Sequence, residues 1–185
     1  YRTSNFLARV HALSVALVIP QSMLWTFVPT WLIVDRGWAP AAAGTLITAT
    51  QITGALGRIG AGKLSDVMGS RMRPISLIAI TAGTATGALA VLDAVNSPVA
   101  VAIMVIASIA SVADNGLAFT AIAEYAGPRW SGRSLGIQNT AQHLATAATT
   151  PLLGSAVSHL GFAAAFGLTA LAPLIALPLI PRDAT

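Results

Sequence analysis

Six long apolar stretches, separated by short polar connectors, dominate this sequence. They occupy residues 10–33, 41–64, 74–92, 99–122, 134–157 and 162–180. Each is close to the 20 or so apolar residues that an α-helix needs to cross the hydrocarbon core of a bilayer. No stretch alternates with a period of two, so a transmembrane β-barrel is not expected. The pattern predicts an all-α membrane protein with six transmembrane helices.

Charged residues are too few for a chain that is surrounded by water. They make up 9% of the 185 residues, whereas soluble domains carry about 25%. The net charge of +4 is spread thinly over the connectors, so no basic face suited to nucleic acid is expected. The absence of cysteine excludes thiolate chemistry, and His11, His143 and His159 lack the spacing of metal ligands. We therefore expect the lipid bilayer and a small-molecule substrate as partners, without metal or cofactor.

The basic residues predict the orientation of the chain in the membrane. Six spans place both termini on one side, together with Arg2, Arg9, Lys63, Arg71, Arg73, Arg129, Arg133 and Arg182. The opposite side would hold only Arg36. Lys and Arg accumulate in the cytoplasmic loops of membrane proteins. We therefore expect a multi-pass protein of the plasma (inner) membrane with both termini in the cytoplasm.

A repeat with an offset of 92 residues divides the chain into halves at about residues 1–93 and 94–185. The matching glycine pairs are Gly44 and Gly136, Gly62 and Gly154, and Gly69 and Gly161. Each half would contain three helices, and an odd number gives the two copies opposite orientations in the membrane. Inverted repeats of this kind are common in transporters. The sequence thus predicts one six-helix transmembrane domain built from two inverted three-helix repeats.

Charged, amide or imidazole side chains occur in the first, second, fourth and fifth spans, whereas the third and sixth spans carry no charge and no amide. Because polar groups are costly in lipid, these four spans are expected to enclose a water-filled cavity. Asn139, Gln142 and His143 share one helix face, since they lie at positions i, i+3 and i+4. The alternative is hydrogen bonding between helices, which fewer polar groups would satisfy. The predicted substrate cavity comprises Gln21, Trp25, Gln51, Asn115, Asn139, Gln142 and His143.

Two charged residues lie within the predicted spans, and each has two interpretations. Asp114 is a candidate for proton coupling, because a carboxylate away from water can hold and release a proton. Alternatively, it forms hydrogen bonds that hold helices together, or Asp114 and Asn115 mark a break in the helix. Arg58 can attract an anionic substrate or extend to the cytoplasmic edge of the membrane. Its position near that edge favours a structural or gating role.

The connector between the second and third spans carries a motif, Gly62-x-Leu64-Ser65-Asp66-x-x-Gly69-x-Arg71. It resembles the signature loop of the major facilitator superfamily, usually G-x-L-A/S-D-R-x-G-R-R/K. The pairs Gly57-Arg58 and Gly132-Arg133 also resemble that family. The chain departs from the motif at Val67 and Ser70, where the family usually has basic residues.

The resemblance implies half of a 12-helix fold, and a degenerate loop is usual in the second half. We therefore expect the carboxyl-terminal six helices, with an amino-terminal six-helix half as the missing partner. A first residue that is not Met agrees with a fragment or a processed piece. In the family, the loop is implied to hold the cytoplasmic side closed in one state, with Asp66 facing the other half. The gating residues that this implies are Arg58, Gly62, Asp66, Gly69, Arg71 and Arg73.

The function that these features predict is secondary active transport of a small solute by alternating access, as symport or antiport, with protons as a possible coupling ion. One alternative is an intramembrane enzyme, but no nucleophile turn of the Gly-x-Ser-x-Gly kind faces His143. Another is a channel built from identical six-helix chains, although no filter-like loop is visible. No P-loop is present to supply energy from ATP.

Overall fold

A computed structural model describes residues 5–181 and consists of helices, with no strand in that range. The helices are α1 (Phe6–Thr30), continued by a π-helical turn (Trp31–Asp35), α2 (Pro40–Met68), α3 (Met72–Ala94), α4 (Ala100–Ala126) and α5 (Ser131–Ile175), followed by a 3-10 turn (Leu177–Leu179). α1 with its π-helical turn, α3, α4 and α5 are long and apolar enough to cross a membrane. These helices confirm the prediction of an all-helical membrane protein. The predicted positions of Arg2 and Arg182 lie outside the described residues.

The prediction of six separate transmembrane helices is not confirmed. Among the described helices, α2, which corresponds to the second predicted span, does not join those that are long and apolar enough to cross a membrane, and the fifth and sixth predicted spans form the single element α5 of 45 residues. A straight helix of that length would measure about 67 Å, more than twice the thickness of a bilayer core. Gly161 interrupts α5 with non-helical angles, φ 84° and ψ 170°. A positive φ is readily adopted only by glycine. The element therefore consists of two helical segments that meet at Gly161.

Contacts with α1 show that the two segments of α5 run in opposite directions. Near the start of α5, Gln138 lies 2.5 Å from His11, which belongs to the first half of α1. Just after Gly161, the ring of Phe166 packs against Trp31 at the far end of α1, with 5.7 Å between the ring centroids. Beyond the end of α5, the carbonyl oxygens of residues 178–180 accept hydrogen bonds from Arg9. The chain therefore turns back at Gly161.

Two apolar clusters hold the bundle together, one at each end of α1. The first joins the beginnings of α1 and α3 to the last part of α4 and includes Val10, Ile75 and Ile122. The second joins the end of α1 to α3, α4 and both segments of α5. Between the clusters, α1 carries polar side chains that face α4 and α5. This arrangement leaves room for a polar site in the middle of the bundle.

Glycines let helices approach closely at two contacts. A Cβ atom built on Gly83 of α3 would lie 2.7 Å from the side chain of Leu174 and 3.2 Å from the carbonyl oxygen of Ala170. On α2, Cβ atoms on Gly54 and Gly57 would lie 3.1 and 3.3 Å from side-chain atoms of α4. Small residues commonly occupy helix contacts in membranes, where packing rather than hydrophobicity drives association.

We predict that Gly83→Val lowers the stability of the protein, because the new side chain overlaps Leu174 and the backbone at Ala170. Overpacking of this kind costs about 1–3 kcal/mol. The matched control is Gly60→Val, since no atom lies within 4 Å of a Cβ built at Gly60. Thermal unfolding of the purified protein in detergent measures both variants. Equal unfolding temperatures for the two variants would contradict the close contact.

Candidate functional site

A cavity of about 360 Å³ lies in the middle of the bundle, between α1, α2, α4 and the first segment of α5. Its lining residues are Val18, Gln21, Ser22, Trp25, Thr26, Arg58, Asn115, Phe119, Asn139, Gln142, His143 and Thr146. These are the four spans that the sequence singled out by their polar residues. Small-molecule sites have volumes of this order and combine apolar walls with a few polar groups. The cavity is therefore the candidate binding site.

The structure brings together six of the seven residues predicted for the cavity, and Gln51 is the exception. Gln51 and Trp25 line a separate pocket of only about 20 Å³. Gln51 and Arg58 are seven residues apart, so they share a face of α2 but differ in depth by about 10 Å. The cavity lies at the depth of Arg58. The depth of Gln51 relative to the cavity depends on how α2 packs against α4.

Three amide side chains form a hydrogen-bonded chain that crosses the cavity wall. Gln142 of α5 donates from Nε2 to Oδ1 of Asn115 on α4 at 3.3 Å. Asn115 in turn donates from Nδ2 to Oε1 of Gln21 on α1 at 3.2 Å. Each amide group has further hydrogen-bond donors or acceptors beyond those used in this chain. By contrast, Asn139 and His143 are exposed side chains of the lining. The wall thus fixes some polar groups and leaves others for a solute.

Arg58 lies in the cavity wall, anchored to α4. Its Nε donates to the carbonyl oxygen of Val112 at 3.1 Å. The close approach of α2 and α4 at Gly54 and Gly57 makes this contact possible. The sequence favoured a gating role because Arg58 lies near the cytoplasmic edge. In the structure, its guanidinium group lines the cavity with the amides.

Asp114 is buried behind the cavity and does not line it. The residue is 1% exposed, and neither carboxylate oxygen has a hydrogen-bond partner among the residues that the structure describes. α4 continues as a helix through Asp114 and Asn115, so the alternative of a helix break is not observed. Asp114 and Arg58 interact electrostatically, but no ion pair within 4 Å joins them. A buried carboxylate without a partner is costly in its charged form.

The signature loop is held together by Arg71. Its Nη1 donates to Asp66 Oδ1 at 2.7 Å and to Ser65 Oγ at 2.9 Å, while Nη2 donates to Glu124 Oε1 at 2.9 Å. The hydrogen bonds to Glu124 and then to Asp66 raise the pKa of Arg71 above its usual value, so the guanidinium stays charged. Gly69 ends α2 in the left-handed conformation, with φ 58°. The loop is therefore tied to the end of α4.

Within the loop, Asp66 contacts Arg71 of its own connector, whereas the resemblance implied a contact with the missing half. The Asp66 side chain is 70% exposed, so one of its sides remains open to another partner. Gly62 lies inside α2 without a close neighbour, and Arg73 is exposed at the start of α3. Sequence reasoning missed Glu124, which it assigned only to a polar connector. Its position at the end of a span was the available signal.

A buried ionic cluster at the opposite end of the bundle was also missed. Asp93, in the last turn of α3, accepts hydrogen bonds at Oδ1 from Trp31 Nε1 at 2.8 Å and from the guanidinium of Arg36. The Arg36 guanidinium carbon lies 5.0 Å from the centroid of the Trp31 ring. The sequence placed Asp93 in a turn and used Arg36 only for topology. The cluster ties the end of α1 to the end of α3.

The described residues contain no group of three His, Cys, Asp or Glu side chains that could hold a metal ion. His11 pairs with Gln138 in the interior of the bundle, and His143 lines the cavity. The arrangement offers hydrogen bonds, one fixed cation and aromatic surface. It contains no nucleophile placed against a base in the cavity. Such a site can bind and release a solute.

Comparison with known proteins gives a family and two relatives. The Major Facilitator Superfamily matches residues 10–185. The chain is 49% identical over 181 residues to the Uncharacterized MFS-type transporter Rv2994 of Mycobacterium tuberculosis strain H37Rv. It is 48% identical to the Uncharacterized MFS-type transporter MT3072 of strain CDC 1551. Each alignment covers 98% of this chain and 41% of the relative. No solved structure matches this chain.

We predict that Asp93→Asn strongly destabilises the protein, because it removes the buried counter-charge of the Arg36 guanidinium and leaves only the partly exposed carboxylate of Asp35, 3.7 Å away. Removing one partner of a buried ion pair costs about 3–5 kcal/mol. The double variant Asp93→Leu with Arg36→Met, which removes both charges, should recover much of that loss. Thermal unfolding in detergent measures all three proteins. If Asp93→Asn is as stable as the parent protein, the cluster contributes little to the stability of the fold.

Proposed function

Because this chain belongs to the Major Facilitator Superfamily, we propose that it forms a six-helix half of a secondary transporter that moves a small solute by alternating access. The observation that carries the proposal is the polar cavity between α1, α2, α4 and α5. Two halves that rock around a site near the midplane expose it to each side of the membrane in turn. The relatives are named as transporters, in agreement with a transporter rather than an enzyme.

Two inverted three-helix repeats account for the helix pattern. Gly69 and Gly161, which are 92 residues apart, both adopt a positive φ where the chain leaves one helix and enters the next. On this proposal, α5 contributes the fifth and sixth spans, which meet at Gly161. The reversal of the chain at that glycine supports six spans. Arg58 is the residue of α2 that lines the cavity, and the remaining exposed surface of α2 would face the missing half.

The second half of the transporter would be the missing partner. The chain spans 41% of the length of its relatives, which leaves room for another six-helix half. The cavity wall includes exposed side chains such as Trp25, which is 47% exposed in this chain alone. A second half packed over this side would enclose the site. The degenerate loop at Val67 and Ser70 supports the carboxyl-terminal position.

The distribution of charge supports an inner-membrane orientation with both termini in the cytoplasm. Arg9 contacts the last described residues, and Arg71 contacts the end of α4, so these cations share one end of the bundle. Arg36 lies at the other end, where Asp93 neutralises it. The cationic end would face the cytoplasm.

Protons are the coupling ion that we favour, with Asp114 as the residue that carries them. Its carboxylate is buried, close to the cavity and without a hydrogen-bond partner in the described part of the chain. A change of protonation there alters the charge beside the cavity without changing its shape. That charge also acts on Arg58.

Uptake into proteoliposomes tests the transport function. The complete transporter should give uptake that saturates with solute and collapses when an uncoupler removes the proton gradient. The competing function, a channel built from identical chains, predicts a conductance that does not saturate in this way and does not need the gradient. Such a conductance would overturn the proposal.

We predict that Asp114→Asn abolishes accumulation driven by a proton gradient but keeps exchange of solute between two sides at equal concentration. The amide cannot carry a proton, whereas the shape of the site is retained. The control is Asp35→Asn, which removes a carboxylate that lies outside the cavity lining at the opposite end of the bundle from Arg71. Unchanged accumulation in Asp114→Asn would remove this residue from the coupling mechanism.

We predict that Asp66→Ala changes the accessibility of the cavity from the cytoplasm, because it removes one of the acidic partners of Arg71. Cysteines introduced at cavity positions such as Asn139 report this change through their rate of maleimide labelling. The control is Val67→Ala, at an adjacent side chain that is exposed. Identical labelling rates in Asp66→Ala and the parent would leave Asp66 with a purely topological role.

A further inference from the structure

The charge balance of the cavity wall points to the class of solute. Its lining contains one fixed cation, Arg58, and the described residues contribute no acidic side chain to it. The one acid nearby, Asp114, is buried outside the lining. A cation in a membrane interior is costly unless an anion or water compensates it. The wall that this chain contributes therefore favours a negatively charged solute over a positive one.

The geometry of Arg58 leaves its terminal nitrogens available. Only Nε is engaged, in the hydrogen bond to the carbonyl oxygen of Val112. That bond holds the guanidinium in place, while Nη1 and Nη2 have no partner among the residues that the structure describes. A guanidinium presents parallel N–H groups that match the two oxygens of a carboxylate or the oxygens of a phosphate or sulfonate. Arg58 is thus pre-oriented to bind an oxyanion.

The remaining lining describes the body of the solute. Trp25 and Phe119 supply aromatic surface, and Val18 adds an apolar side chain. Aromatic walls bind flat apolar groups with a defined geometry. The free polar atoms of Asn139 and His143 add hydrogen bonds around the same space. Neither inorganic anions nor purely apolar molecules would use all of these groups.

We infer that the cavity binds organic anions that carry an aromatic or apolar body, with Arg58 contacting the oxyanion and Trp25 and Phe119 contacting the body. This inference rests on the proposed transport function, since it names the solute class of the same site. Asp114 lies behind the wall and therefore does not compete directly for the terminal nitrogens of Arg58. Its electrostatic interaction with Arg58 allows the charge at Asp114 to influence how strongly an anion is held.

A series of probes that share one body and differ in charge tests the inference. Equilibrium dialysis of the complete transporter in lipid nanodiscs measures the dissociation constants of 2-naphthoate, 2-naphthamide and 2-naphthylmethylammonium. We expect 2-naphthoate to bind at least about tenfold more tightly than the other two, because only its carboxylate accepts hydrogen bonds between two charged groups from the terminal nitrogens of Arg58. If the unmodified protein binds the three probes with equal affinity, or prefers the ammonium compound, the inference is overturned.

Variants connect the preference to Arg58. Arg58→Gln should lose the tenfold preference for 2-naphthoate and keep its affinity for 2-naphthamide. The matched control is Lys63→Gln, which removes a cation from the same helix outside the cavity lining and should keep the preference. Arg58→Lys should retain a preference for the anion. A full preference in Arg58→Gln, for example because Arg58 pairs with the missing half, would overturn the assignment.

Counterflow in proteoliposomes separates this inference from the proposed function. Transport of 2-naphthamide or 2-naphthylmethylammonium without any preference for the anion would refute the solute class and support transport. Binding of 2-naphthoate that depends on Arg58, without any counterflow, would support the solute class and refute transport.

Discussion

The cost of a polar side chain in lipid determines how this chain is built. α1, α4 and α5 direct Gln21, Asn115 and Gln142 towards one another, and the three amides satisfy part of their hydrogen-bonding capacity across helices. α3 carries no charged or amide side chain in its middle, where the buried hydroxyl of Thr86 has no hydrogen-bond partner among the described residues, and the helix packs through apolar and small residues. The position of the cavity follows from this division, because the faces that cannot meet lipid must meet each other or water.

Small residues at the helix contacts determine where this site forms. Apolar helices gain little free energy when they exchange contacts with lipid for contacts with one another, so close packing decides which helices associate. Gly54 and Gly57 bring α2 against α4, and the same approach places the Nε of Arg58 on the carbonyl oxygen of Val112. Gly83 likewise brings α3 against the second segment of α5. Arg58, the residue that we propose binds the solute, is thus positioned by small residues at a helix contact.

The sequence predicted the helices and the polar faces, because both depend on local patterns. The apolar stretches differ by a few residues from the observed bounds of α1 to α4, and six predicted cavity residues lie together. Two features that depend on tertiary packing were not predicted. They are the depth of Gln51 and the contacts of Asp93 with Trp31 and Arg36, which lie about 60 residues away in the sequence. The boundary expected between the fifth and sixth predicted spans falls at Gly161, where the two segments of α5 meet.

We propose that this chain crosses the membrane six times, as two inverted triplets of helices that present one polar wall. Labelling of single cysteines with a membrane-impermeant maleimide tests it directly, since the chain has no cysteine of its own. In a transporter without other cysteines, Pro98→Cys and His159→Cys should label from outside intact cells, whereas Pro128→Cys should label only after the membrane is opened. Labelling of His159→Cys and Pro128→Cys from the same side would contradict the inverted arrangement.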